Sequence, residues 1–173
     1  MADNALGLSA DEVLTTTRAV RQRIDFDRPV PRDVIERCVD IAQQAPSGSN
    51  RQDWAWIMID DPDTKQAIAE MYRANFMPYI NSVEAPPDGS RQARIRDSAI
   101  YMAERLHEVP LMVIPCIRGR LDESASTVTQ AARWGSLLPA VWSLCLAYAN
   151  AGWEVRGPPC TFRANERPPS SSA

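Results

Sequence analysis

The chain has 173 residues, 45% of them apolar and 24% charged, with a formal net charge of −3 and an isoelectric point near 5.2. These values describe one folded domain large enough to bury a core. They give no general attraction to nucleic acid or anionic membranes, so any anion site must be local. No secretory apolar region precedes Val13 and no apolar run reaches bilayer length, so a cytoplasmic protein without a membrane role is expected.

Cys38, Cys116, Cys145 and Cys160 lack CxxC spacing, and the first three stand in apolar surroundings. Reduced core thiols are expected, without a zinc centre or disulfide frame. His107 is the single histidine, set between Leu106 and Glu108 where a surface or capping role is expected, so no Ser-His-Asp or Cys-His engine is indicated. Lys65 is the single lysine among 19 basic residues, a bias that fits GC-rich coding.

Residues 1–7 read as a loose terminus, after which Ser9-Ala10-Asp11-Glu12 has the form of a helix cap. The helix it opens is expected to carry Val13, Leu14, Ala19 and Val20 and to bring Arg18 and Arg21, three apart, onto one face, with Arg23 close by. Two guanidinium forks on one face suit a dianionic phosphate; they equally suit a solvated face paired with Asp25 and Asp27. Pro31-Arg32-Asp33 then starts a helix whose core face is Val34, Ile35, Cys38, Ile41 and Ala42.

Ala42–Trp54, reading AQQAPSGSNRQDW, connects that helix to the apolar run Trp54–Ile59, which reads as a strand. A loop of small and amide residues can lay backbone groups, a hydroxyl and a carboxamide against a flat polar ligand without bulk in the way. It also reads as an ordinary turn between a helix and a strand.

Asp60-Asp61-Pro62-Asp63 caps a helix over about 64–73, residues 81–90 form a loop, and 91–107 are expected to be an amphipathic helix. The inward residues of that helix are Ile95, Ala99, Met102, Ala103 and Leu106. Val109–Ile117 reads as a buried strand whose two prolines favour an edge or an irregular end. Val128–Ala151 is the longest apolar element, a core or interface helix that Pro139 would kink or restart.

Three of these stretches carry a resemblance to the nitroreductase family of flavin-dependent oxidoreductases, covering about Leu14 to Gly152. TTRAVRQRIDFDRPVPRDVIERCVDIA resembles the family's N-terminal basic motif and second helix; QAPSGSNRQDWAWIMIDD resembles its APSxxNxQPW signature; VPLMVIPCI with WGSLLPAVWSLCLAYANAG resembles its strand and dimer-interface helix. Two departures stand out. Ala19 or Val20 replaces a phosphate-binding serine, and Asp53 replaces the proline before Trp54.

The resemblance implies an α+β nitroreductase-like fold, an FMN cofactor, NAD(P)H as co-substrate and a homodimer. Arg18, Arg21 and Arg23 would hold the FMN phosphate. Pro46, Ser47 and Gly48 would lie along the isoalloxazine ring, and Asn50 and Gln52 would meet its polar edge or the ribityl chain. The substrate would be a small-molecule electron acceptor such as a nitroaromatic or quinone, and no protein side chain need act as acid, base or nucleophile. A chain that holds flavin without turnover, or an inactive fragment, is the alternative.

Residues 153–173 lack period, contain four of the 14 prolines and end in serines, so a tail outside the domain of residues 1–152 is expected. Where this tail begins, the family continues with a glycine-containing turn and a core strand. Shifting the degenerate codons of Trp153–Phe162 by one base permits such a turn and strand, so a frameshifted end is expected, which the gene's DNA decides.

Overall fold

The computed structural model describes residues 6–122 and 124–153; the expected tail lies almost wholly outside them. Among the described residues five helices, two short 3₁₀ turns and two strands alternate, giving the expected α+β class. Helix α1 is Ala10–Thr16, α2 Arg32–Ala42, α3 Pro62–Ser82, α4 Arg91–Arg105 and α5 Thr127–Asn150. Strands β1, Trp54–Ile59, and β2, Met112–Ile117, form an antiparallel pair with Trp54 opposite Ile117 and Ile59 opposite Met112.

The caps follow the sequence. Ser9 and Glu12 form a reciprocal capping box, and the carboxylate of Asp61 accepts the Thr64 N–H at 2.8 Å with Pro62 in the first turn of α3. The end of α1 does not. It stops at Thr16, so Ala19, Val20, Arg18 and Arg21 lie in the irregular segment 17–31, and the two arginines share no helical face. Thr15, Thr16 and Thr17 are the physical reason: each hydroxyl donates to a carbonyl one turn back, at 2.6–2.7 Å, and only Val13 of α1 is buried to hold a longer helix in place.

Helix α3 runs nine residues beyond the expected Arg73, through Pro78, supported by the Tyr72–Phe76 ring stack at 5.4 Å and by Arg73 Nη1 donating to the Glu104 carbonyl at 3.1 Å. Helix α4 gives way at Arg105 to a 3₁₀ turn, Leu106–Glu108, that contains His107, and β2 begins only at Met112. Pro110 accounts for both: it holds Val109 extended (φ −57°, ψ 139°) and donates no N–H to a ladder. Pro115, opposite Trp56, is tolerated because, among the described residues, each strand of this two-stranded sheet has an edge without a neighbouring strand. Within β2 only Met112 is buried, so the strand is half-covered rather than buried on both faces.

The core has three linked parts. Ile35, Cys38, Val39 and Ala42 of α2 pack with Leu144 of α5; Trp54 packs with Leu137, Ala140 and Val141; Ile59, Met102, Val109 and Met112 close the far end, with Ile24 and Phe26 from the irregular segment. Trp56 touches the first two groups. Burying each large side chain contributes roughly 1.5–3 kcal/mol. Lys65 is itself buried, its Nζ donating to the Val109 carbonyl at 2.8 Å and pinning α3 to the approach to β2.

At 24 residues, α5 is about 36 Å long and passes through Pro139 without ending. Its inner face holds two parts of the core, while Trp134, Leu138 and Trp142, four residues apart, stand 44–51% exposed on the outer face.

Candidate functional site

The connection between α2 and β1 is bound from within and from α5. Inside it, Asn50 N–H donates to the Ser47 carbonyl at 3.0 Å, Arg51 N–H to the Gly48 carbonyl at 3.3 Å, and Gln52 N–H to Ser47 Oγ at 3.1 Å. The Gln52 carboxamide donates to Asn50 Oδ1 at 3.0 Å. Ser49, Asn50 and Gln52 all take left-handed backbone, with φ of 55°, 52° and 52°. For residues other than glycine that conformation costs roughly 1–2 kcal/mol each, so the surrounding contacts must impose it.

Beyond the loop's own bonds, further contacts come from α5. Gly48 N–H donates to Ser136 Oγ at 2.9 Å, and Trp54 Nε1 donates to the Ser136 carbonyl at 2.8 Å. One turn earlier, Arg133 Nη1 meets Asp53 Oδ2 at 3.3 Å while Nη2 bonds the carbonyls of Arg118 and Gly119 at the end of β2. Asp53 also takes Arg51 Nε at 2.8 Å, and its own carbonyl accepts Arg118 N–H at 2.8 Å. Gly119 has φ +81°, and a Cβ there would approach Arg133 Nη2 to 3.2 Å, so glycine serves both the turn and the guanidinium.

Neither Ser136 nor Arg133 was singled out from the sequence. Ser136 is a polar residue in an otherwise apolar stretch of helix, and Asp53 is an acid where the resembled signature has proline; each oddity was a signal for a long-range partner.

The predicted residues fall into two groups. Ser47, Gly48, Asn50 and Gln52, with exposed Pro46, are brought together in the tethered loop. Arg18, Arg21 and Arg23 lie on the segment after α1, where Arg18 and Arg23 are exposed and Arg18 Nη1 donates to the Thr17 carbonyl at 2.8 Å. Half-buried Arg21 donates to Ser98 Oγ of α4 at 3.3 Å. The loop therefore rests on α5 and the arginine segment against α4. An open concavity of about 560 Å³, lined by Arg120, Leu121, Asp122 and Ser124, contains none of these residues.

Among the described residues no cluster of His, Cys, Asp or Glu is placed to hold a metal ion, and no helix is long and apolar enough to cross a membrane. Burial pushes the Cys38 thiol up to about 11 and raises Cys145 and Tyr148, so at neutral pH these groups are uncharged packing elements. Hydrogen bonds from Arg105 hold the Glu108 carboxyl below the usual range, in a knot where Arg105 also lies over the Phe26 ring at 4.0 Å.

The family model described as the nitroreductase family matches residues 14–155. The chain belongs to the nitroreductase family. Among curated relatives, a 60-residue stretch is 35% identical to iodotyrosine deiodinase 1 of Rattus norvegicus, covering 35% of this chain and 20% of that protein. A 43-residue stretch is 44% identical to iodotyrosine deiodinase of Nematostella vectensis, covering 25% of this chain and 16% of that protein. Each match thus spans a fifth or less of the relative's length.

Among solved structures, an oxidized iodotyrosine deiodinase bound to FMN and 3-iodo-L-tyrosine superposes with a TM-score of 0.65 at 22% identity, covering 88% of this chain and 76% of that one. The FMN and NADPH-dependent nitroreductase NfnB from sphigopyxis sp. strain HMH gives a TM-score of 0.52 at 22% identity, over 84% and 72% of the two chains. These likenesses establish the nitroreductase-like fold.

Proposed function

We propose that the chain is an FMN-dependent oxidoreductase that oxidises NAD(P)H and reduces a small electron acceptor, such as a nitroaromatic or quinone, and that it works as a cytoplasmic homodimer. The observation that carries the reading is the loop Ser47–Gln52. Three residues other than glycine take left-handed backbone there, in a loop that is tied at Gly48 to another helix, and strain of that kind gathers at ligand sites.

The residues present fit FMN in chemistry. The loop is small and polar, and the amides of Ser47 and Ser49 make no hydrogen bond among the described residues. With Pro46, Gly48, Asn50 and Gln52 this surface would lie along the ring, and Arg18, Arg21 and Arg23 would supply positive charge for the phosphate. Bound FMN supplies hydride chemistry, and the chain's own task is to bind, orient and exclude water. The exposed row Trp134, Leu138 and Trp142 supports the homodimer.

The likeness to iodotyrosine deiodinases favours a second acceptor class, a halogenated phenol that would undergo reductive dehalogenation. The test is an absorbance spectrum after FMN loading and gel filtration, then anaerobic NADPH and NADH, then nitroaromatic, quinone and 3-iodo-L-tyrosine acceptors. A yellow dimer that either nucleotide bleaches supports the proposal, and the acceptor that restores colour selects the substrate class. Colourless, folded protein after loading overturns it.

A further inference from the structure

Ser136 is buried at 8% exposure on the inner face of α5, and its hydrogen-bonding capacity is used on both sides. Its hydroxyl hydrogen goes to the Ala132 carbonyl one turn back at 2.7 Å, so toward Gly48 the oxygen can only accept, and it accepts that N–H at 2.9 Å. Its backbone carbonyl meanwhile accepts the indole N–H of Trp54 at 2.8 Å. One residue therefore fastens the loop at Gly48 and again at the first residue of β1, six positions on. Between those two points lie the left-handed Ser49, Asn50 and Gln52.

A chain pinned at both ends over so short a stretch has few ways to relax, so the strained backbone persists between the pins. Pinning also sorts the donors. The Gly48 N–H turns inward to the helix and is unavailable to a ligand, while those of Ser47 and Ser49 stay uncommitted.

We infer that Ser136 is the positioning residue of the ligand loop, acting through Gly48 to set how Ser47–Gln52 faces a flavin; the flavin part rests on the function proposed above. The deeper part, the tether itself, concerns the chain alone.

The test uses the full chain with two readouts, amide hydrogen exchange at Gly48 by NMR without flavin, and titration with FMN. In the wild type the Gly48 amide should be protected. Ser136→Ala should lower that protection tenfold or more and weaken FMN binding about tenfold, while amides of β1 and α5 exchange as before. Ser136→Thr, which keeps the hydroxyl, should restore both. A general structural role would instead move the strand and helix amides together with Gly48.

An unprotected Gly48 amide in the wild type overturns the inference without any variant. So does Ser136→Ala protein with unchanged Gly48 protection, or with wild-type affinity for FMN. A wild type that binds no FMN overturns the flavin reading and the flavin-positioning role with it, whereas Gly48 exchange still decides the tether.

Discussion

Replacing Asp53 by alanine should cost about 2–3 kcal/mol of stability. The side chains of Asp53 and Arg133 are 17% and 15% exposed, so their contact is shielded from water. A hydrogen bond to a charged group contributes about 1.5–3 kcal/mol, and breaking a fully buried pair costs about 3–5 kcal/mol. The 3.3 Å separation and the carbonyl bonds that Arg133 Nη2 would keep place this pair below the upper figure. Arg51 is 63% exposed, and its contact adds at most about 1 kcal/mol.

For a chain of this size each kcal/mol shifts the melting temperature by about 2–4 °C, so the expected fall is about 4–12 °C. A double-mutant cycle of Asp53→Ala with Arg133→Met, followed by urea unfolding, should give a coupling of about 1–2 kcal/mol that survives 1 M salt. The Arg32–Glu36 pair, 87% and 52% exposed, should show no coupling that persists in salt. A cost below about 0.5 kcal/mol for Asp53→Ala, or a coupling erased by salt, would refute the claim that this ion pair anchors the loop to α5.

Trp142→Glu should convert a dimer to monomer in light scattering. Losing one large apolar contact of about 2 kcal/mol from each copy weakens association about a thousandfold. Cys38, its thiol raised to about 11 by burial, should resist iodoacetamide at pH 8 until urea unfolds the chain, as peptide mapping would show. Arg105 lowers the Glu108 pKa, so the stability from that contact is present above the ordinary glutamate value of about 4.3 and is lost as pH falls through the lower folded value. Urea midpoints should therefore drop below about pH 4, and Glu108→Gln should flatten that decline.

What could be read from the sequence was what local chemistry fixes. Ser9, Asp61 and Pro62 mark helix starts because a cap acts within three residues, and Trp54–Ile59 announces a strand by its apolar run. The helical face expected for Arg18 and Arg21 failed because α1 stops at Thr16, where the hydroxyls of Thr15, Thr16 and Thr17 bond carbonyls one turn back and only Val13 is buried, an effect that apolar spacing does not register. The ligand loop was found by its small residues, but its left-handed backbone was not foreseen. The residue that ties the loop down, Ser136, lies 88 positions after Gly48, beyond the reach of any local pattern. Arg133 and Lys65 were hidden for the same reason: each bonds a backbone carbonyl that no side-chain pattern reveals.

The placement of these partners on α5 links the loop to assembly. The helix turns Arg133, Ser136, Leu137, Ala140 and Val141 toward the loop and the core, and Trp134, Leu138 and Trp142 outward. The two faces share one backbone, so a second copy packed on the tryptophans would restrain the same turns that hold Gly48 and Asp53. In the proposed dimer, a partner that never touches the loop would thus slow its opening, because the Gly48 tether ends on the helix that the partner restrains. Gly48 amide exchange in Trp142→Glu monomer should then be faster than in the dimer although every bond to the loop is intact. Equal exchange rates in monomer and dimer would show that the two faces of α5 act independently.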